Sequence, residues 1–132
     1  MSIFWEKLLS VCSSDISSGK GQKVPAAFHD YPLIEDLINL LNKRNGFYGF
    51  ESALHVFSVE TDGEEIGLID WNDNSLWIDC YDDLARNAIF FAEDVFGGQF
   101  CIKKDGIYTF DPETGSFDYL APDINEWCKN IL

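Results

Sequence analysis

The spacing of turn residues after position 89 constrains this chain more than any other feature. Gly97-Gly98, Asp105-Gly106 and Asp111-Pro112-Glu113-Thr114-Gly115 cut the segment into short apolar runs. Runs of this length between glycine-bearing turns are strands, and Asp-Gly supplies the positive φ that a two-residue hairpin needs. Ile89–Val95, Gln99–Lys103, Ile107–Phe110 and Phe117–Leu120 are therefore expected to form an antiparallel meander of about four strands.

Helical spacing flanks this core. Ser2 is placed to cap a short helix with Phe4, Leu8, Val11 and Cys12 on one face. Residues 13–24, rich in Ser, Gly and Lys, read as a flexible connection. Pro32 opens a second helix carrying Leu33, Leu37, Leu40 and Leu41; Lys43 and Arg44 suit its C-terminal dipole, and Asn45-Gly46 stops it. Leu54–Val59 and Ile66–Trp71 are expected as strands around a Thr61-Asp62-Gly63 turn, and Asn74–Ala85 as a helix presenting Trp77, Ile78, Tyr81 and Leu84. Asp123 and Glu126 stand at capping-box spacing ahead of Ile124, Trp127, Cys128 and Ile131. The expected class is α+β, a single domain over 1–132.

Charge separates the chain into unequal parts. The 132 residues carry 23 Asp+Glu against 9 Lys+Arg, a formal charge of -14. Residues 51–100 hold twelve acids and one base, Arg86, and so account for -11 of it. A chain of this balance lacks the basic stripe of a nucleic-acid or anionic-membrane binder. Charge-driven disorder is excluded as well, because 46% of the residues are hydrophobic and 15% aromatic. The acids form either a solvated surface or a face that steers a basic protein partner.

Enzyme and metal signatures are weak. Cys12, Cys80, Cys101 and Cys128 form no CxxC pair and read as reduced core or near-core thiols. His29 and His55 are isolated, a pattern more often structural than catalytic. Asp70, Asn72 and Asn74 match three positions of a calcium loop, but Ser75 and Tyr81 replace its glycine and its bidentate glutamate, so no metal and no cofactor are expected. Glu93 and Asp94 are adjacent on a strand and point to opposite faces, which denies them one shared bond to hydrolyse. Trp71, Trp77, Tyr81, Phe90, Phe91 and Phe96 are interleaved with the acids; most belong in the core, and any left exposed would anchor a protein contact. Met1–Lys7 has the character of neither a signal peptide nor a membrane span, which gives a cytoplasmic expectation.

The run FFAEDVFGGQF at 90–100, followed by Cys101-Ile102, Gly106-Ile107-Tyr108, DPETG at 111–115 and Ile124-Asn125-Glu126-Trp127, resembles the SMI1/KNR4 (SUKH) superfamily. Asn45-Gly46 after a leucine-rich helix and the Trp71-Asn72 pair fit the same order. The resemblance implies a non-enzymatic domain. Its bacterial relatives look like immunity proteins that neutralise toxins, many of them nucleases; its fungal relatives look like regulatory scaffolds of cell-wall synthesis. The expected partner is a basic protein, a cognate toxin, met by Glu60, Asp62, Glu64 and Glu65 on the first hairpin and by Asp79, Asp82 and Asp83 near the next helix. A regulatory protein-interaction scaffold is the alternative.

Overall fold

A computed structural model describes residues 3–19, 23–81 and 84–132. The chain runs α1 (Ile3–Ser10), a 3₁₀ turn at Ala26–Asp30, α2 (Ile34–Lys43), β1 (Phe47–Gly49), β2 (Leu54–Val56) and α3 (Leu68–Trp71). A second 3₁₀ turn at Ile78–Tyr81 leads to β3 (Ile89–Asp94), β4 (Gln99–Lys103), β5 (Gly106–Asp111), β6 (Ser116–Ala121) and α4 (Ile124–Ile131). All six strands form one antiparallel sheet in the order β1-β2-β3-β4-β5-β6. The α+β meander is present, extended by two strands at its N-terminal side.

Strand alternation sends Val56, Phe91, Ile102 and Ile107 into the main core with Leu8, Leu37, Leu40 and Trp127 from the helices. A register shift between Phe90 and Ala92 lets Phe91 and Ala92 both enter that core, although they are consecutive. Trp127 closes it, with its indole edge-on to Phe91 at 4.9 Å and to Phe100 at 5.5 Å. Asp123 caps α4 by accepting the Glu126 N–H at 2.9 Å, as the sequence spacing predicts. The Ser2 cap lies outside the described residues.

The opposite face holds a smaller cluster of Ile78, Ala85, Phe90, Cys101 and Phe110. Trp71, Trp77, Tyr81 and Ala88 of the β2–β3 connection pack against it, whereas Phe57, Val59 and Leu68 of the same connection belong to the main core. Here the sequence expectation needs two corrections. Ile66–Trp71 is no strand: after a tight turn in which Asp62 and Glu65 exchange backbone bonds, the chain coils into α3. The cause is close packing at Gly67, where a Cβ would fall 2.3 Å from the carbonyl carbon of Glu60, with the Leu68 N–H donating to Ser58 O. Nor do the described residues of Asn74–Ala85 form an α-helix; among them only the 3₁₀ turn Ile78–Tyr81 winds. The rings of this segment are fixed sideways instead. Trp77 Nε1 donates to Trp71 O at 3.0 Å, and Tyr81 OH donates to Pro112 O at 2.6 Å.

Residues 13–19 run beside β1. Ser13 N donates to Tyr48 O, Ile16 N to Gly46 O and Ser17 N to Asn45 O, while Arg44 Nη1 donates to Ser13 O at 2.9 Å.

Candidate partner-binding surface

An antiparallel meander places alternate connections at alternate ends of the sheet. The β1–β2, β3–β4 and β5–β6 connections consequently share one end, as the pairings Leu54↔Asp94 and Gln99↔Phe110 require. The β4–β5 turn, with Lys103 and Lys104, lies at the other.

The shared end is built from local backbone chemistry. In the β3–β4 turn, Asp94 accepts the N–H groups of Phe96 and Gly98 on one carboxylate oxygen, at 2.8 and 2.9 Å. Its own N–H donates to Gly98 O, and Gly97 takes the positive φ of 85°. The turn is thus tied at both ends, yet it leaves Val95 65% and Phe96 92% exposed. In the β1–β2 connection Phe50, Glu51 and Ser52 all have positive φ, a left-handed run that costs roughly 1–2 kcal/mol per residue for non-glycines. In the β5–β6 turn Asp111 accepts the Glu113 N–H at 2.9 Å.

Carboxylates gather here without bases. Glu51, Asp111 and Glu113 are exposed, Glu93 and Asp94 half-buried, and none of the three connections contains Lys, Arg or His. Between the first two connections lies a hollow of about 330 Å³, walled by Tyr48, Ser52, His55, Glu93, Asp94 and Val95. His55 Nδ1 and Glu93 Oε2 lie 3.0 Å apart in a hydrogen bond. The Tyr48 ring stacks on His55 at 4.6 Å, and its hydroxyl donates to Glu65 at 2.7 Å. Burial, then the hydrogen bond to Glu65 and the charges of Glu65 and Glu93, push the Tyr48 hydroxyl up to about 12.

The residues named from sequence fall in several places. Glu60, Asp62 and Glu64 are exposed around the 60–65 turn, and Glu65 joins that turn to the hollow through Tyr48. Asp79 stands apart, its carboxylate 2.6 Å from Arg86 Nη2, so its charge is locally offset. Asp82 and Asp83 lie outside the described residues. Of the interleaved aromatics, Phe90 and Phe91 are fully buried, Trp71, Trp77 and Tyr81 half-buried, and Phe96 stands in solvent.

Other candidates resolve into structural roles. Asn72, third in the calcium-like string, donates to Phe90 O and accepts Phe90 N–H, at 2.8 and 2.7 Å. Glu93 and Asp94 are committed to different partners, the His55 ring and the turn amides. Cys101 and Cys128 are buried thiols, Cys12 is half-buried, and Cys80 is exposed, which corrects the reading of all four as core or near-core. The shared sheet end was missed because its residues are scattered over 50–113. The signal that could have found it was the parity of the turns in the meander.

The model of the SMI1/KNR4 family (SUKH-1) matches residues 22–130. No curated protein matches the chain, and no solved structure does.

Proposed function

The chain belongs to the SMI1/KNR4 (SUKH-1) family, and from that premise we propose that it is a non-enzymatic immunity protein that neutralises a cognate toxin by stoichiometric binding. The observation that carries this reading is the end of the sheet where the exposed carboxylates of Glu51, Asp111 and Glu113 and the half-buried ones of Glu93 and Asp94 gather on or beside three connections that contain no Lys, Arg or His. A toxin that cleaves nucleic acid must be basic along its substrate channel, and an acidic protein is attracted to that channel by the same field. No helix of the described residues is long and apolar enough to cross a membrane. Glu60, Asp62, Glu64 and Glu65 extend the acidic surface and would steer the encounter, with Asp79, Asp82 and Asp83 as further contributors. Such charges act on the association rate more than on the final affinity.

The test is co-expression of the full chain with the polypeptide encoded immediately upstream of it. Restored growth together with an equimolar complex in size-exclusion chromatography is the expected result. Continued toxicity in cells that accumulate the folded chain overturns the reading and favours a regulatory protein-interaction scaffold of the SMI1/KNR4 type.

A further inference from the structure

We propose that the end of the sheet formed by the β1–β2, β3–β4 and β5–β6 connections is the docking surface for a folded basic protein. Phe96 is the ring that enters the partner, and the adjoining hollow receives one of the partner's Lys or Arg side chains. The inference rests on the binding function proposed above and places its centre away from the acidic 60–65 turn.

Three observations converge. Phe96 is 92% exposed at the tip of a turn in which the Phe96, Gly97 and Gly98 N–H groups all donate to Asp94. A large ring held in water gains by burial, and a turn already fixed by Asp94 loses little freedom when it docks. Val95 at 65% and Phe50 at 41% exposure widen the apolar patch around it. Val95, the neighbour of Phe96, lines the hollow together with Glu93 and Asp94, while Phe96 itself borders a second depression with Asp111 and Glu113. The carboxylates are the acceptors a cation would meet. A guanidinium or ammonium group is the complementary occupant, since these cations only donate. Glu51, Asp111 and Glu113 form an acidic rim with no base on the same connections, so a basic partner is favoured and an acidic one repelled. An aromatic anchor inside a charged rim is the usual energetic arrangement of protein contacts.

The experiment titrates the full chain against the upstream-encoded polypeptide, carried as a catalytically dead variant, and reads affinity by calorimetry. Phe96→Ser is expected to weaken binding by about thirty-fold or more, with an unchanged melting temperature because the ring packs on little. Glu93→Gln, which keeps a hydrogen-bond partner for His55 but removes the charge, is expected to weaken it by about ten-fold. Tyr119→Ser, a 57%-exposed ring on β6 away from this end, is the control and leaves affinity unchanged. Tight binding that survives Phe96→Ser overturns this proposal while leaving the immunity reading intact. A folded wild-type chain that does not bind overturns that reading and this proposal with it. Sedimentation decides the remaining occupant: a wild-type dimer dissociated by Phe96→Ser would make this end a self-interface and refute the docking of a basic partner.

Discussion

On one face of the sheet, α1, α2 and α4 deliver Leu8, Leu37, Leu40 and Trp127 in helical register; on the other, Trp71, Trp77 and Tyr81 pack against the smaller cluster from a connection in which, among the described residues, no helix is longer than four residues. The first covering is held by apolar periodicity. The second is held by ring contacts and by side chains reaching backbone groups. Trp77 touches Trp71 at 5.5 Å, Phe90 at 4.7 Å and Phe110 at 5.9 Å, and Asn72 stitches the segment to β3. One sheet therefore carries a side whose order is spread over many interchangeable contacts and a side whose order hangs on a few directed ones.

Core truncation separates them most strongly. Trp127→Ala removes a fully buried indole and is expected to cost about 3–5 kcal/mol in urea unfolding. Trp77→Ala, from a half-buried site, is expected to cost less and to expose residues 57–88 to proteolysis while α4 stays folded. Equal costs, with one shared transition, would break the distinction between the faces.

Alkaline pH tests a thiol on each side. Burial pushes both Cys101, on the aromatic face, and Cys128, on α4, up to about 12. Unfolded thiols lose their protons near pH 9, whereas the folded ones keep theirs. The unfolded state binds fewer protons in that window, so stability falls as pH rises from about 9 towards 12. The urea midpoint measured across this range is expected to drop, and to drop less steeply in Cys101→Ala and in Cys128→Ala. Thiol labelling of the native protein is expected at exposed Cys80 first and half-buried Cys12 next, then at buried Cys101 before buried Cys128, because locally ordered coverings open before helical ones.

Smaller effects sharpen the contrast. Asn72→Ala strands the Phe90 amide and carbonyl, at an expected cost of about 1–3 kcal/mol, seen as faster hydrogen exchange at the Phe90 amide. Asp123→Ala removes the α4 cap and is expected to cost about 1 kcal/mol in the same unfolding assay, with exchange accelerated in the first turn of α4.

The same contrast explains what was legible in the sequence. The meander from Ile89 to Ala121, the leucines of α2 and the cap of α4 all rest on period and turn chemistry, which single residues display. Ile66–Trp71 misled because Ile66, Leu68 and Ile69 pack with the main core, and Asn74–Ala85 because Trp77 and Tyr81 contact Phe90 and Phe110; neither spacing reflects a local period. The short β1 was hidden behind the helix stop at Asn45-Gly46. The acidic bias was visible, but its geometry was not: Asp79 meets Arg86, and Glu65 meets Tyr48, through contacts that span 7 and 17 positions. Phe96 could be named as an aromatic among acids, whereas its exposure depends on the Asp94 turn.

An open six-stranded sheet has two outer strands, and each is a template on which foreign backbone can add. The segment following α1 lies along β1, where Ser13 N–H donates to Tyr48 O at 2.7 Å, Ser13 Oγ accepts Tyr48 N–H at 2.9 Å, and Cys12 bridges Gly49. At the far side, Asp118 and a bond from Asn130 to Leu120 O interrupt the β6 edge. Runaway self-templating into cross-strand fibrils is thereby opposed at both margins. A binding protein that invades by strand addition would find β1 already occupied by the chain's own N-terminal segment.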